Sequence, residues 1–433
     1  MKRTNAFTLA PTDEHERLLF EVSLGCAKLW NELTYRRRQA YSSYQPIEWY
    51  REDLYQKYAP LVGSATAQQI INKNNEAWRS FLALKRLEKE GKLPSHIKSV
   101  KPPRYWKDKD GKYKRIIILR NDCYSIQDDK IKMPKGLGVP FKGRLKWFGR
   151  QGRAEIVYDD LSGEWRVFQA VEVQPSLKPL GFKTCHIDLG VINLATVWME
   201  GWKQPIAFSG RNLLHDWWYW TRRIAKHQSR TKRVNSKYSS KRLRRLYRIR
   251  GRRFRHAINT MIRNMVKDLY ELGVSNIVVG NLKHIRENSG ENSHRTNFIV
   301  HNFWSFNHIV QRIKDVAEEY GIKVKEVSEH KTSTKCVRCG SENTDHAGRL
   351  FKCLNCGLEA HRDCVGVLNM ANLHNGGTAI GVVTHPILLK WEGMKWEAKR
   401  LMNNQLMKTL EVRIPQASTV GVSDGKVNNS PRR

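Results

Sequence analysis

Long apolar runs are missing from this 433-residue sequence: no stretch approaches the roughly 18 apolar residues that a membrane-spanning helix needs. The Met1-Lys2-Arg3 start leads into Thr, Asn, Pro, Asp and Glu rather than the apolar core of a secretory signal, so a soluble intracellular chain with no membrane partner is expected. Cysteine is scarce, and four of the eight fall in two Cys-x-x-Cys pairs. The scattered Cys26, Cys123, Cys185 and Cys364 therefore read as buried free thiols rather than a disulfide framework. No internal repeat of fixed period occurs, which argues against a repeat architecture. Acids are absent from Arg222 to Arg255, a segment holding sixteen Lys or Arg.

What the chain has in excess is positive charge, 77 Lys and Arg against 41 Asp and Glu, a formal net charge of +36. Such a potential favours polyanions through release of their counterions, so nucleic acid is the expected partner. The acid-free segment is its sharpest expression, because nothing local limits its self-repulsion. Leu243, Leu246, Ile249, Ala257, Met261 and Met265 recur near helical spacing and suggest an apolar stripe docked on a core. Arg222, Arg223, Lys241, Arg242, Arg244, Arg245, Arg248, Arg252 and Arg253 are the candidate phosphate contacts on the opposite face. Of the fourteen tryptophans, Trp217, Trp218 and Trp220 could stack bases, while most are expected in the core. A cytoplasmic, nucleoid-associated location follows, or a nuclear one in a eukaryotic host.

The texture of the chain divides it. Residues 13–104 contain helical stretches such as Glu16 to Tyr41, where Leu18, Val22, Cys26, Leu29 and Leu33 recur at spacings of three and four, and Asn74 to Glu90. Residues 1–12 and 105–180 form a β-rich part, a barrel or curled antiparallel sheet with runs at Arg115 to Arg120, Ala154 to Tyr158 and Trp165 to Val171 between glycine turns. From Phe182 the order is three strands (Thr184 to Asp188, Leu194 to Met199, Pro205 to Phe208), a long basic helical segment, a strand at Asn276 to Gly280, a helix from about Trp304 to Tyr320, a strand at Ile322 to Val327 and a closing helix. That is the order of a ribonuclease H-like α/β fold, expected over 181–335 and 358–374. Residues 375–433 are a C-terminal extension whose last twenty or so, rich in Ser, Asn, Val, Gly and charge, read as disordered.

Two chemistries stand out. Cys336, Cys339, Cys353 and Cys356 form two knuckles separated by thirteen residues, each followed by a glycine, the spacing of a zinc ribbon over 336–357. Four thiolates close a tetrahedral site and leave no position for substrate, so one structural Zn²⁺ is expected. The second is a set of carboxylates. Asp188 ends an apolar run in Cys185-His186-Ile187-Asp188-Leu189-Gly190, Glu329 follows the last strand, and Asp363 opens the closing helix. Hard oxygen donors at strand ends suit two Mg²⁺ ions in a phosphodiesterase. Asp188 competes with a turn role, Asp363 with a helix cap, and Glu329 with an ordinary surface glutamate or with Glu326. Strand alternation puts Glu326 on the opposite face, which favours Glu329. His330 and His361 adjoin the site as supporting or surface groups.

These motifs resemble the TnpB family of transposon-encoded RNA-guided nucleases, related to Fanzor and to the type V CRISPR effectors. The resembling residues are Asp188-Leu189-Gly190-Val191, Trp304-Ser305-Phe306-Asn307 with Gln311-Arg312-Ile313, Thr332-Ser333-Thr334-Lys335-Cys336, the two cysteine pairs, and His361 through Asn369. The resemblance implies a RuvC-type nuclease domain with an inserted zinc ribbon, preceded by a wedge-like β domain and a helical recognition-like domain. It also implies a guide RNA, a double-stranded DNA target and a short target-adjacent motif. One departure is marked: the family's usual glutamate at the fourth strand end is replaced in Val278-Val279-Gly280-Asn281-Leu282. A branch of the family that lacks it carries a glutamate three residues before the Thr-Ser of the ribbon approach, here Glu329. Neighbouring strands lie about 4.8 Å apart, so a carboxylate moved to the next strand end still reaches the same ions, and Gly280 leaves room for it. The alternative is a nuclease-dead RNA-guided repressor in which Gly280 marks loss of the site; a transposase of the same fold is a remoter one, because its acids run Asp, Asp, Glu.

Overall fold

The computed structural model describes residues 1–94, 97, 99–107, 111–134, 136–175, 177–235, 240–281, 294–303, 305–329, 332–374 and 385–398. Trp304, His330 and the expected disordered tail lie outside them. The chain is a multidomain α/β protein that divides into two units, Met1–Gln174 and Pro175–Arg433.

In the first unit, β1 (Lys2–Leu9) turns Asn5, Phe7 and Leu9 inward and Lys2, Thr4 and Ala6 outward, the two-residue period of a half-buried strand. The helices α1 (Asp13–Ser42), α2 (Glu52–Val62) and α3 (Ser64–Lys89) follow, then β2 (Ile116–Leu119), β3 (Ser125–Gln127), β4 (Lys130–Met133), β5 (Leu137–Lys142), β6 (Arg150–Asp159) and β7 (Glu164–Glu172). The strands pair antiparallel in the order β2-β6-β7-β1-β5-β4-β3. Among the described residues no pairing joins the edges β2 and β3. Side chains instead link the segment before β3 to β6: Tyr124 Oη donates to the Gly152 carbonyl (2.7 Å) and Gln151 Nε2 to the Asn121 and Tyr124 carbonyls (2.6 and 2.8 Å).

Helix α1 begins on a Thr12 cap, whose hydroxyl accepts from His15 N, with Asp13, Glu14 and Glu16 set against the positive end of the dipole. Its expected apolar stripe is displaced at the start: Leu18 is exposed, and Leu19 is the buried residue because it packs into the sheet core beside Ile117 and Trp165. Helix α2 was not anticipated, since Pro60 interrupts an already short pattern. Arg37 is buried without an acid; its guanidinium is satisfied by Asn74, Asn75 and the carbonyls of Glu48 and Trp49.

The second unit holds β8 (Lys183–Asp188), β9 (Asn193–Met199), β10 (Ile206–Ser209), α4 (Arg211–Asn235), α5 (Lys241–Glu271), β11 (Val274–Asn281), α6 (His294–Asn302), α7 (Phe306–Glu319) and β12 (Lys323–Ser328). A small antiparallel sheet, β13 (Thr344–Ala347), β14 (Leu350–Cys353) and β15 (Glu359–His361), then leads into α8 (Arg362–His374) and the hairpin β16 (Ile387–Trp391) and β17 (Trp396–Ala398). The large sheet has the order β12-β11-β8-β9-β10-β16-β17. β8, β11 and β12 run parallel to one another, while β9 is antiparallel to β8 and to β10. The closing hairpin, whose β16 pairs parallel to β10, falls in the region expected as a C-terminal extension, because its two short strands carry no period long enough to register.

Alternation gives the sheet two distinct faces. Cys185, Ile187, Val197, Ile277 and Val279 meet Ala257, Met261 and Met265 of α5 and Ile309, Ile313 and Val316 of α7 in the main core. Trp198 faces the other way and packs against Val367, Leu368 and Ala371 of α8. Asp188 and Gly280, each one residue beyond a core-facing neighbour, therefore point to the α8 side. No helix among the described residues is long and apolar enough to cross a membrane.

Candidate metal centres and nucleic-acid interface

Three parallel strands end together on the α8 face. Register pairs Ile187 of β8 with Val279 of β11, and Gly280 with Val327 of β12, so Asp188, Gly280 and the chain after Val327 meet at one edge. Glu329, two residues past Val327, bends inward over Gly280. A Cβ built on Gly280 would coincide with the Glu329 carboxylate, overlapping Oε1, Cδ and Cγ. The space a side chain at 280 would fill is thus taken by an acid from the adjacent strand end.

The third acid arrives on α8. Asp363, in the first turn, is buried, and both its oxygens are held: Asn193 Nδ2 donates to Oδ2 (2.8 Å) and Arg349 Nη1 to Oδ1 (2.6 Å). His361 Nδ1 accepts from the Asp363 backbone N–H at 3.3 Å, tying down the helix start. One turn on, Gly366 lets the helix approach β8, since a Cβ there would sit 2.8 Å from Asp188 Oδ2.

Burial raises the Asp188 carboxyl well above the usual carboxylate range, and the charges of Glu329 and Asp363 raise it further, with Arg349 opposing. Burial likewise raises Glu329 to about 7, against hydrogen bonds from the Leu189 backbone and the Asp188 side chain. Glu329 Oε1 is sheltered from solvent and has no hydrogen-bond partner among the described residues. Desolvated carboxylates with an acceptor left unsatisfied among the described residues fit the charge and lone pairs a divalent cation takes, although the three acids are not drawn together as closely as the four ribbon cysteines. Glu326, the competing acid, lies on the opposite face in an ion pair with Lys314 of α7 (2.5 Å).

The cysteines gather in the small sheet. Their four Sγ atoms lie within 4.8 Å of one another, with Cys336–Cys356 and Cys339–Cys353 at 3.6 Å. A tetrahedral ion with Zn–S bonds of about 2.3 Å needs sulfurs about 3.8 Å apart, so the cradle fits zinc. Among the described residues, only these four form a set of three or more ligating groups drawn so close. Gly340 N and Gly357 N donate back to the Cys336 and Cys353 carbonyls (2.9 and 3.0 Å), giving both knuckles the same turn. A hydrogen bond from the Ser341 backbone pulls the Cys339 thiol down to about 6, toward the thiolate a metal takes. The remaining cysteines are all free thiols, with Cys26, Cys185 and Cys364 buried as expected and Cys123, beside the Asp122 carboxylate, only half-buried.

The basic segment is the helical hairpin of α4 and α5. Arg222, Arg223, Lys241, Arg242, Arg244, Arg245 and Arg252 are exposed, and Arg248 is half-buried. Arg253 differs: Asp216 holds it in a two-pronged ion pair (2.8 and 2.9 Å), so its charge is already balanced, by an acid too far back in sequence to be counted with the segment. Of the expected stripe, Leu243, Ala257, Met261 and Met265 are buried, but Ile249 is exposed. Its neighbour Arg250 lies instead across the Trp217 and Tyr247 rings, with its Cζ 4.9 and 5.2 Å from their centroids. Trp217 is itself a core residue, Trp218 stacks on Phe298, and Trp220, half-buried like Trp218, lies beside Tyr219 and under Arg223.

Sequence reasoning missed Asn193 and Arg349. Asn193 stands five residues after Asp188, and its meaning appears only when β9 brings it to α8. Arg349 sits in a ribbon turn with nothing local to single it out.

Two family models match the chain, one described as a probable transposase over residues 168–286 and one as a Cas12f1-like TNB domain over residues 306–370. The chain is 33% identical over 420 residues to a TnpB-like protein of Acidianus two-tailed virus, covering 89% of this chain and 88% of that one. It is 26% identical over 241 residues to the CRISPR-associated endodeoxyribonuclease Cas12f1 of Sulfoacidibacillus thermotolerans, 50% of this chain and 52% of that one. A Cas12f1 solved in complex with single guide RNA and target DNA is alike in fold, with a TM-score of 0.54 at 15% identity over 86% of this chain and 99% of the other.

Proposed function

The chain belongs to the TnpB-like family, and from that premise we propose that it is an RNA-guided DNA endonuclease of RuvC type. Asp188, Glu329 and Asp363 hold two Mg²⁺ ions for hydrolysis of DNA phosphodiester bonds, and Cys336, Cys339, Cys353 and Cys356 hold one structural Zn²⁺. The observation that carries the reading is the Glu329 carboxylate filling the volume beside Gly280, at the strand end next to Asp188. The order β10-β9-β8-β11-β12, with Asp188 on the central strand and α8 across one face, supports a ribonuclease H-like nuclease core.

When bound, the ions supply an activated water nucleophile and stabilisation of the departing 3′ oxygen. The chain's own residues do the rest. Asn193 and Arg349 fix the orientation of Asp363 from its two sides, so a ligand lone pair is aimed without further ordering. Arg349 also brings a planar guanidinium to the site, where its positive charge offsets the gathered acids. The exposed cations of the α4–α5 hairpin follow the backbone of bound nucleic acid, and base pairing with the guide supplies sequence selection. The wedge-like part (1–12 and 105–180) and the recognition-like helices (13–104) engage guide RNA and double-stranded target. Guide RNA and target DNA in the fold-alike complex and the endonuclease name of the Cas12f1 relative support these partners.

Sequencing the RNA that copurifies with the chain tests the reading. A constant scaffold joined to a variable segment is expected, and DNA matching that segment is cut once Mg²⁺ is added. A chain that purifies without RNA, or that cuts DNA regardless of the RNA it carries, contradicts it.

A further inference from the structure

The loop between β5 and β6, residues 143–149, is built with more care than a surface connection requires. Its ends are fixed by glycines: Gly143 has φ +116°, and a Cβ on Gly149 would run into the Glu172 carbonyl and lie 3.3 Å from Val173 Cα. Its middle is gripped from beneath by Asn5, a buried side chain of β1. Asn5 Oδ1 accepts from Lys146 N (3.0 Å) and Trp147 N (2.9 Å), while its Nδ2 donates to the Trp147 carbonyl (2.8 Å) and to Gln169 Oε1 (3.0 Å). A buried amide spent on loop backbone sets one conformation at a cost in desolvation that a plain turn would not incur.

What that conformation displays is Phe148, 74% exposed at the tip. Beside it Trp147 is half-buried, its ring covered by the Arg3 guanidinium (5.5 Å) and the Lys146 ammonium (4.3 Å). The stretch from Lys142 to Arg153 holds five Lys or Arg and no acid. Lys142, Arg144, Lys146 and Arg150 are exposed, and Glu172 is the acid in register with Lys2 and Arg150 across the sheet. An apolar ring held rigidly in water among cations suits neither a protein core nor a membrane span. It suits a π-face flanked by phosphates.

We infer that the 143–149 loop is a stacking platform for an unpaired nucleobase: Phe148 takes the base face, and Lys142, Arg144, Lys146 and Arg150 take the adjoining phosphates. A Watson–Crick base inside a duplex has both faces covered, so the occupant is an unpaired position in an RNA or a DNA strand. This rests on the proposed engagement of nucleic acid by the wedge-like part (1–12 and 105–180) and deepens it, while involving none of the residues of the carboxylate site.

The test uses the full chain without added Mg²⁺ and two strands of one sequence, RNA and DNA, each with 5-iodouracil at a single unpaired position. Near-ultraviolet light joins that base to an aromatic ring stacked on it. Crosslinked peptides containing Phe148 are expected, and the strand type that gives them identifies the source of the base. Phe148→Ala should abolish that crosslink and weaken binding of the same strand about tenfold, within the range for one base–aromatic stack, while Phe148→Trp keeps both. Both variants should melt with the parent, because the ring is exposed. Crosslinks that map elsewhere from both strands, or Phe148→Ala affinity within twofold of the parent for both, overturn the inference. Binding is read without cleavage, so failure here leaves the carboxylate site untouched, and the reverse.

Discussion

Glu329→Gln should lower Mg²⁺-dependent DNA cleavage by about a thousandfold, the scale on which loss of a charge-stabilising group in a buried site is felt. The substitution keeps the shape that fills the volume beside Gly280, so the fold is retained and only the anion is lost. Glu326→Gln is the matched control. That residue lies three positions earlier in the chain, faces α7, and is paired with Lys314 at the half-exposed edge, where an ion pair contributes at most about 1 kcal/mol. Cleavage within twofold of the parent is expected for it. Gel-based cleavage under single-turnover conditions separates the two, and full activity in Glu329→Gln would return the second acid to an unknown position.

The second large effect is expected from zinc removal. The ribbon has little else to hold it: its core is Cys336, Phe351, Cys353, Leu358, Ala360 and Val365, of which two are the ligands themselves. In zinc-finger peptides of similar size the metal supplies about 10–16 kcal/mol, so without it this sheet should unfold locally. The consequence reaches the carboxylates. Arg349, in the β13–β14 turn, holds Asp363 Oδ1, and Asn369 of α8 grips the Thr332 and Lys335 carbonyls (2.7 and 2.6 Å) at the entrance to the ribbon. A zinc-selective chelator with Mg²⁺ in excess should therefore release one zinc per chain and reduce cleavage about a hundredfold, the upper end for losing a supporting contact to a metal ligand. Hydrogen exchange should rise over 336–361 while β8 and β11 stay protected. Undiminished cleavage by zinc-free protein would show that the ribbon does not support the site.

The element order from β8 to α8 was legible because β8, β9, β10 and β11 hold consecutive buried residues and read as short continuous apolar runs, and because α7 carries a clean apolar stripe. The cysteine knuckles were legible because their chemistry is written in local spacing. Glu329 and Gly280 could be paired from sequence only through the resemblance to the TnpB family, whose usual fourth-strand glutamate is missing at Gly280. Contacts made across the fold were not legible. Arg349 is one of 77 Lys and Arg, and only the ribbon's turn toward α8 distinguishes it. Asn193 is an ordinary strand residue until Asp363 meets it. The shift from Leu18 to Leu19 and the exposure of Ile249 have one cause: a helix that serves two neighbours does not keep a single stripe, and α1 turns Leu19 to the sheet while α5 gives Arg250 to the Trp217 ring. Arg253 appeared unbalanced because its acid, Asp216, belongs to the other helix of the hairpin.

The central claim is that Glu329 shares divalent cations with Asp188 and Asp363. Anomalous diffraction from crystals of the guide-bound protein grown with Mn²⁺ tests it most directly. Manganese peaks enclosed by the three carboxylates are expected, with a Glu329 oxygen at about 2.2 Å from one of them, a normal metal–oxygen distance. Manganese bound by Asp188 and Asp363 alone, with the Glu329 carboxylate turned away from Gly280, would contradict it.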